Sequence, residues 1–286
     1  MMSLGILNNI SALYAQNSLN STQASLSKTL QQLSSGSRIN SGADDAAGLA
    51  VADGLTANST ALAQSTRNAS DAIGLLQTAD GALSQVTSLL TRAVTLATQA
   101  SNTTLTSSQI SSANQEYQNI LTQINNIGSA TNFNGNAVFT NTANTFTISD
   151  GTTSGTISYS DTVGALTTAS VGTTTGGGAG VDFTAGTLPT LTAATAKDIL
   201  PALGTAIADV SFQRGNVGAD INQLTSAQQV AATEQTNLTA AQNNITATDF
   251  GQAASDLSKF QVLSQTGISA LAQANSVQQE VLKLLQ

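Results

Sequence analysis

The residues best equipped for chemistry crowd into one stretch, LSSGSRINSGADDAAGLAVADGL (33–55). It carries three close glycines, Gly36, Gly42 and Gly48, with Arg38, Asn40 and the adjacent carboxylates Asp44 and Asp45. Three chemistries use such parts: a phosphate cradle, an acid/base dyad and a metal-binding loop. General acid/base work needs two carboxylates driven to different pKa values, usually from separate elements facing one cleft. Sequence neighbours point apart, and only small residues follow these two. They fit a helix start better: Ser41 or Asp44 can cap, and acids in a first turn favour its positive end. The glycines do not match the dinucleotide fingerprint, and no strand precedes them. The later GGGAG (176–180) lacks the Lys-Ser/Thr of a P-loop. Asp150, Asp161 and Asp182 follow no calcium-loop spacing.

Two absences narrow the field further. The chain has no His, which removes the usual general base and the zinc-peptidase motif. It has no Cys, which removes thiol chemistry and disulfides but leaves the redox compartment open. No catalytic residue, metal or cofactor is expected. Arg92 and Glu116 read as solvated surface charges. The N-x-S/T matches at Asn58 and Asn102 are what chance gives in so Asn-, Ser- and Thr-rich a chain.

The elements that must position these residues are helices at both ends and something else between. At the N-terminal end Ile6, Ile10 and Leu13 are spaced 4,3, and Leu19, Leu26, Leu30 and Leu33 resume the stripe. At the other end Leu271, Ala274, Val277, Val281 and Leu284 recur at 3,3,4,3. Narrow stripes on polar helices are coiled-coil seams. Further in run Ile73, Leu76, Leu83, Val86, Leu90 and Ala97, then Ile110, Ala113, Tyr117, Ile120, Ile124 and Ile127. After Pro201, placed in a first turn, Leu203, Ile207, Val210, Val217, Ile221, Leu224, Ala231, Leu238 and Ile245 hold a 3.5-residue register. Arg214, Gln228, Gln235 and Gln242 fill its remaining positions. A helix over 199–247 would be roughly 70 Å long.

Between them NFNGNAVF reads as a turn. TFTISDGTTSGTISYSD alternates Phe146 and Ile148 out and Ile157 and Tyr159 back, a hairpin over about 145–160. A Gly/Thr-rich stretch follows, too poor in apolar residues for a core. The expected fold is mainly α: long antiparallel helices in a coiled-coil rod, a small β-hairpin insert, and paired N- and C-terminal helices.

Composition agrees. Of 286 residues only 3% are aromatic, whereas 40% are hydrophobic, which suits narrow helix seams. A net charge of −8 with eight scattered basic residues argues against nucleic acid. No apolar run reaches a membrane span, so no membrane insertion is expected. No basic region precedes Lys28, so a conventional signal peptide is not expected.

At this point the chain resembles bacterial flagellin. The resemblance rests on LSSGSRINSGADDAAGLAVADGLTANSTALAQSTRNASDAIGLLQTADGAL, on NFNGNAVF, and on ATDFGQAASDLSKFQVLSQTGISALAQANSVQQEVLKLLQ at the C-terminal end. It covers roughly 1–160 and 200–286. It implies an inner domain of terminal helices (1–43 and 246–286) and a helical rod domain (44–166 and 197–245). A short surface insert (167–196) stands where many flagellins carry large domains. It implies a filament subunit, extracellular in the flagellum and exported by the flagellar type III apparatus without signal cleavage. Implied partners are its own copies, an export chaperone at the C-terminal segment, and the cap and hook-junction proteins. TRAVTLATQ (91–99) is similar to the motif read by the animal flagellin-sensing Toll-like receptor, with Arg92, Leu96 and Glu116 matching. Thr91, Val94 and Thr95 depart from it, and two lost charged partners imply weak recognition.

A terminal helix with a two-position stripe cannot repay its ordering entropy alone. Both termini are therefore expected to fold as neighbouring subunits bury the polymerisation seam: Ile6, Ile10, Leu13, Leu26, Leu30, Leu33, Leu271, Val277, Val281 and Leu284. Gly36 and Gly42 break the register where one helix must end, so Arg38, Asn40, Asp44 and Asp45 are expected to fix a joint. The alternatives are a hook–filament junction protein, or a flagellin scaffold serving as secreted adhesin or host-receptor ligand.

Overall fold

The computed structural model describes residues 9–140, 144–149, 156–161 and 190–284, with side chains described only through Val277 at the C-terminal end. Five helices and two small hairpins make up the described residues. The order is α1 (Ile10–Ser35), α2 (Ala46–Ala100), α3 (Ser107–Ala130), β1 (Asn132–Phe133), β2 (Asn136–Ala137), β3 (Asn144–Ser149), β4 (Thr156–Asp161), α4 (Ala196–Thr246) and α5 (Phe250–Leu284). The mainly α architecture with paired terminal helices and one longer hairpin is as expected from sequence. Of the residues weighed as metal ligands, Asp150 and Asp182 lie outside the described residues, as does 167–189 of the Gly/Thr-rich stretch.

Two compact units divide the chain: Met1–Ala57 with Asn237–Gln286, and Asn58–Thr236. In the first, α1 and α5 pack antiparallel. Asn9 caps α1 by accepting from the Ala12 N–H and donates its own Nδ2 to the Ala274 carbonyl, 2.9 Å away. Gly36 ends the helix in the left-handed region (φ 70°), its N–H returning to the Gln32 carbonyl. Only a glycine reaches that conformation without strain.

In the second unit the stripes on α2, α3 and α4 form one core. Leu76, Leu83, Val86 and Leu90 of α2 meet Tyr117, Ile120 and Ile124 of α3 and Leu203, Val210 and Val217 of α4, all buried. Burial pushes the Tyr117 phenol up to about 12. Thr106 and Gln109 form a reciprocal capping box that starts α3. Asn134 and Gly135, both at positive φ, turn β1 into β2, with Phe133 facing Asn136. The longer hairpin pairs Phe146 with Tyr159 and Ile148 with Ile157. It is pinned to α2 by the Ser149 N–H donating to Ser65 Oγ and by Asn68 Nδ2 donating to the Thr147 carbonyl.

Two expectations need correction. α4 begins at Ala196, so Pro201 lies inside the helix rather than in its first turn. The helix gives up one hydrogen bond there. The buried polar residue of α4 is Gln213 and not Arg214. Arg214 lies on the flank, where its Nε donates to Asp80 at 2.8 Å. The cause is pitch: a straight helix repeats every 3.6 residues and drifts from a strict 3.5 register.

A low-charge chain must satisfy many hydroxyls, and the helices do so internally. Thr22, Ser25 and Thr29 of α1 each donate to the carbonyl four residues earlier, as do Thr56, Ser65 and Thr87 of α2. Thr29 is thereby buried with no partner required from outside its own helix.

Candidate functional site

The stretch that looked like chemistry folds as the connection from α1 into α2. After Gly36 the backbone runs antiparallel to 245–248. Ser37 bridges Ala247, the Arg38 N–H donates to the Thr246 carbonyl at 2.7 Å, and the Thr248 N–H donates to the Gly36 carbonyl at 3.1 Å. Arg38 adds a side-chain bond, Nη2 to the Ile245 carbonyl at 2.9 Å. Ser37 Oγ donates to the Ile39 carbonyl, and Asn40 Nδ2 to the Ser37 carbonyl. Ile39 is buried beneath them.

The two carboxylates diverge, as neighbours must. Asp44 Oδ2 accepts from the backbone N–H groups of Asn40 and Ser41 and from the Ser41 hydroxyl, while Oδ1 meets Lys28 Nζ at 2.8 Å. The Lys28 bond, the Asn40 N–H and the Ser41 hydroxyl hold this carboxyl down at about 2. Asp45 turns the other way and accepts from the Gly48 N–H at 2.8 Å. The cap of α2 is therefore Asp45, correcting the assignment to Ser41 or Asp44. Asp44 is taken up by Lys28 and the loop, so it cannot serve the helix end. Arg38 reaches Asp45 only at 3.9 Å. Among the described residues no group of three or more acidic side chains could hold a metal ion.

Lys28 and Asp249 belong to this site and were missed. Lys28 lies sixteen residues before Asp44 on another element, and no local pattern links them. Asp249 had a signal: an Asp directly before an apolar helical run. Its carboxylate accepts from the Gly251 and Gln252 N–H groups and starts α5.

The seam residues divide by face. Leu26 and Leu33 of α1 and Leu271 of α5 are half-buried between the two helices. Ile10, Leu13 and Leu30 face outward and are exposed, and so is Val277. Tyr14, adjacent to Leu13, is 71% exposed, and Val262 of α5 is 65% exposed. Ile6 lies outside the described residues; Val281 and Leu284 belong to α5, but their side chains are also outside them. The outward faces thus carry large apolar groups that none of the described residues of this unit covers.

In the second unit Arg92 and Glu116 are joined across α2 and α3, Nε to Oε1 at 2.7 Å, rather than solvated separately. The pair holds the Glu116 carboxyl below its ordinary range. Leu96 is buried in the core.

With this geometry established, known proteins give a consistent match. Residues 6–144 match the family model of the bacterial flagellin N-terminal helical region, and 200–285 that of the bacterial flagellin C-terminal helical region. A Serratia marcescens flagellin is 53% identical over 75 residues, 26% of this chain and 21% of that protein. A Bordetella bronchiseptica flagellin is 47% identical over 87 residues, 30% of this chain and 22% of that one. Matched stretches thus span about a fifth of the length of these curated relatives. The crystal structure of Bacillus cereus flagellin shares 32% identity over 62% of this chain and 94% of that one, with a TM-score of 0.46.

Proposed function

The chain belongs to the bacterial flagellin family, and from that premise we propose that it is a structural subunit of the flagellar filament. No reaction is assigned to it; its work is assembly with copies of itself, outside the cell. One observation carries the reading. Helices from opposite ends of the chain form one antiparallel pair, and its outward faces keep Ile10, Leu13, Tyr14, Val262 and Leu263 exposed. Covering the part of each such side chain that is still exposed contributes on the order of 1–2 kcal/mol.

The inner face of the pair is only half-buried in an isolated subunit, so neighbouring copies complete its folding and assembly couples folding to binding. A heterologous contact that does not close propagates as a helical polymer. In this reading 1–43 and 246–286 form the inner domain, 44–166 and 197–245 the outer helical domain, and 167–196 a short surface insert. Arg38, Asn40, Asp44 and Asp45 fix the joint between the first two. Export follows the flagellar type III route without signal cleavage, with a chaperone at the C-terminal segment and the cap and hook-junction proteins as further partners. Recognition by the Toll-like receptor through Arg92, Leu96 and Glu116 is weak, because Thr91, Val94 and Thr95 depart from the recognised motif and two charged partners are lost.

Deleting residues 1–40 or 250–286 tests the proposal. Purified full-length protein seeded with sheared filament fragments elongates into long filaments by electron microscopy, and neither truncation does. Normal filaments from a truncated chain would overturn it. Failure of the full-length protein to elongate would favour a junction protein instead.

A further inference from the structure

The two ends of α1 are fastened differently. At its C-terminal end the backbone bonds of 36–38 with 246–248 tie it down and set how it lies along the returning chain. Its first turn lies at the far end of a 26-residue helix, roughly 40 Å from those bonds. Apolar packing holds that turn weakly. The inward residues there are Ala12 and Ala15, small and only half-buried, while Ile10, Leu13 and Tyr14 are exposed. The first large inward side chain is Leu19, which lies so close to Gly267 that a Cβ there would come within 3.2 Å of its Cδ1. Charge adds nothing, since residues 9–27 and 260–277 carry no charged side chain.

One side chain fastens the first turn. Asn9 Oδ1 accepts from the Ala12 N–H at 2.9 Å and so caps α1, while Nδ2 of the same carboxamide donates to the Ala274 carbonyl at 2.9 Å. That carbonyl lies inside α5 and has a second lone pair left for Asn9 beside its helical bond. Among the described residues no other hydrogen bond or ion pair joins α1 or its cap to α5. Asp, Ser and Thr can cap a helix as Asn does. A carboxylate, however, cannot donate, and a hydroxyl must do both tasks from a single oxygen.

We propose that Asn9 is a two-ended clasp, a positioning residue that makes the order of the first turn of α1 depend on α5 at Ala274. The display of Ile10, Leu13 and Tyr14 is thereby conditional on the C-terminal helix being folded that far. Asn9 does not set the alignment, which the bonds after Gly36 already do. It supplies order at the distal end, where a helix held mainly at its other end opens first. A chain whose α5 is unfolded around residue 274 therefore presents no ordered first turn on α1. The clasp belongs to the single chain, and only its consequence for contacts between copies rests on the filament reading above.

Asn9→Asp separates clasp from cap. As a cap alone a carboxylate at least equals the amide, because it also meets the positive end of the helix. As a clasp it fails, since it has no donor and faces a carbonyl oxygen. Hydrogen exchange at the Ala12, Leu13 and Tyr14 amides reads the difference in the full-length protein, both soluble and in seeded filaments. In whichever form the parent protects these amides, Asn9→Asp exchanges them about three- to tenfold faster, as Asn9→Ala does, and leaves residues 26–33 unchanged. Lowering the pH to about 3 protonates the introduced carboxyl, whose ordinary pKa is about 3.9, and returns a donor. The gap to the parent at the same pH then closes for Asn9→Asp but not for Asn9→Ala, while the parent stays protected. Protection in Asn9→Asp at or above the parent's near neutral pH, a gap that persists on acidification, or a parent unprotected at these amides in both forms overturns the proposal. Failure to form filaments bears on the filament reading alone, because the soluble protein still gives the exchange result.

Discussion

Asp44 shows how one carboxylate can look catalytic and be mechanical. Three hydrogen bonds and the Lys28 ammonium all favour its charged form, so its pKa falls to about 2 from an ordinary value of 3.8. A general acid needs the opposite shift. Because the folded-state pKa is depressed, the stabilisation is complete above the unfolded value near 3.8 and is lost as pH falls through about 2. Asp44→Asn should therefore melt below the parent at neutral pH. The gap should narrow from about pH 4 downward and close near pH 2, as followed by thermal unfolding across pH. A gap independent of pH would mean that shape, not charge, is what Asp44 supplies. The divergence of Asp44 and Asp45 was legible in the sequence because adjacency alone dictates it. Which of them caps α2 was not, because that depends on Lys28 arriving from a different helix.

At the scale of the helix, the stripe on α4 contains one costly residue. Gln213 is 2% exposed, and neither its amide oxygen nor its nitrogen has a hydrogen-bond partner among the described residues. A buried unpaired polar group costs about 1–3 kcal/mol. Gln213→Leu, nearly equal in volume, should stabilise the second unit by about 1–2 kcal/mol and raise its melting temperature by roughly 2–6 °C. A lower melting temperature in calorimetry would show that the amide is satisfied in solution. Helix identity was readable because long apolar stripes dominate α2, α3 and α4. Helix detail was not. Counting large apolar residues found Leu19, Leu26 and Leu33 on α1 but passed over Ala12, Ala15, Thr22 and Thr29, which complete the same face. Small residues and self-bonded threonines carry no hydrophobic signal, yet they are what lets two helices approach closely. Gly267 is the extreme case, since its contribution is the absence of a side chain.

At the scale of the whole molecule, the exposed apolar groups of the terminal pair must be judged by what assembly does with them. Tyr14 is 71% exposed, so the isolated subunit gains little from it. Tyr14→Ser should leave monomer unfolding unchanged and raise the critical concentration for seeded elongation about tenfold, the equivalent of 1.4 kcal/mol. An unchanged critical concentration would place Tyr14 outside the contacts between copies. The self-contained hydroxyls of α1 bear on the same process. Because Thr22, Ser25 and Thr29 are each satisfied by a carbonyl of their own helix, separating α1 from its partner strands none of those three hydroxyls. What opposes separation is chiefly lost apolar contact, a smooth cost that grows with area, with few directional bonds that must snap together. In the proposed filament, a surface of this kind would let a misplaced copy be released and docked again with few bonds to break.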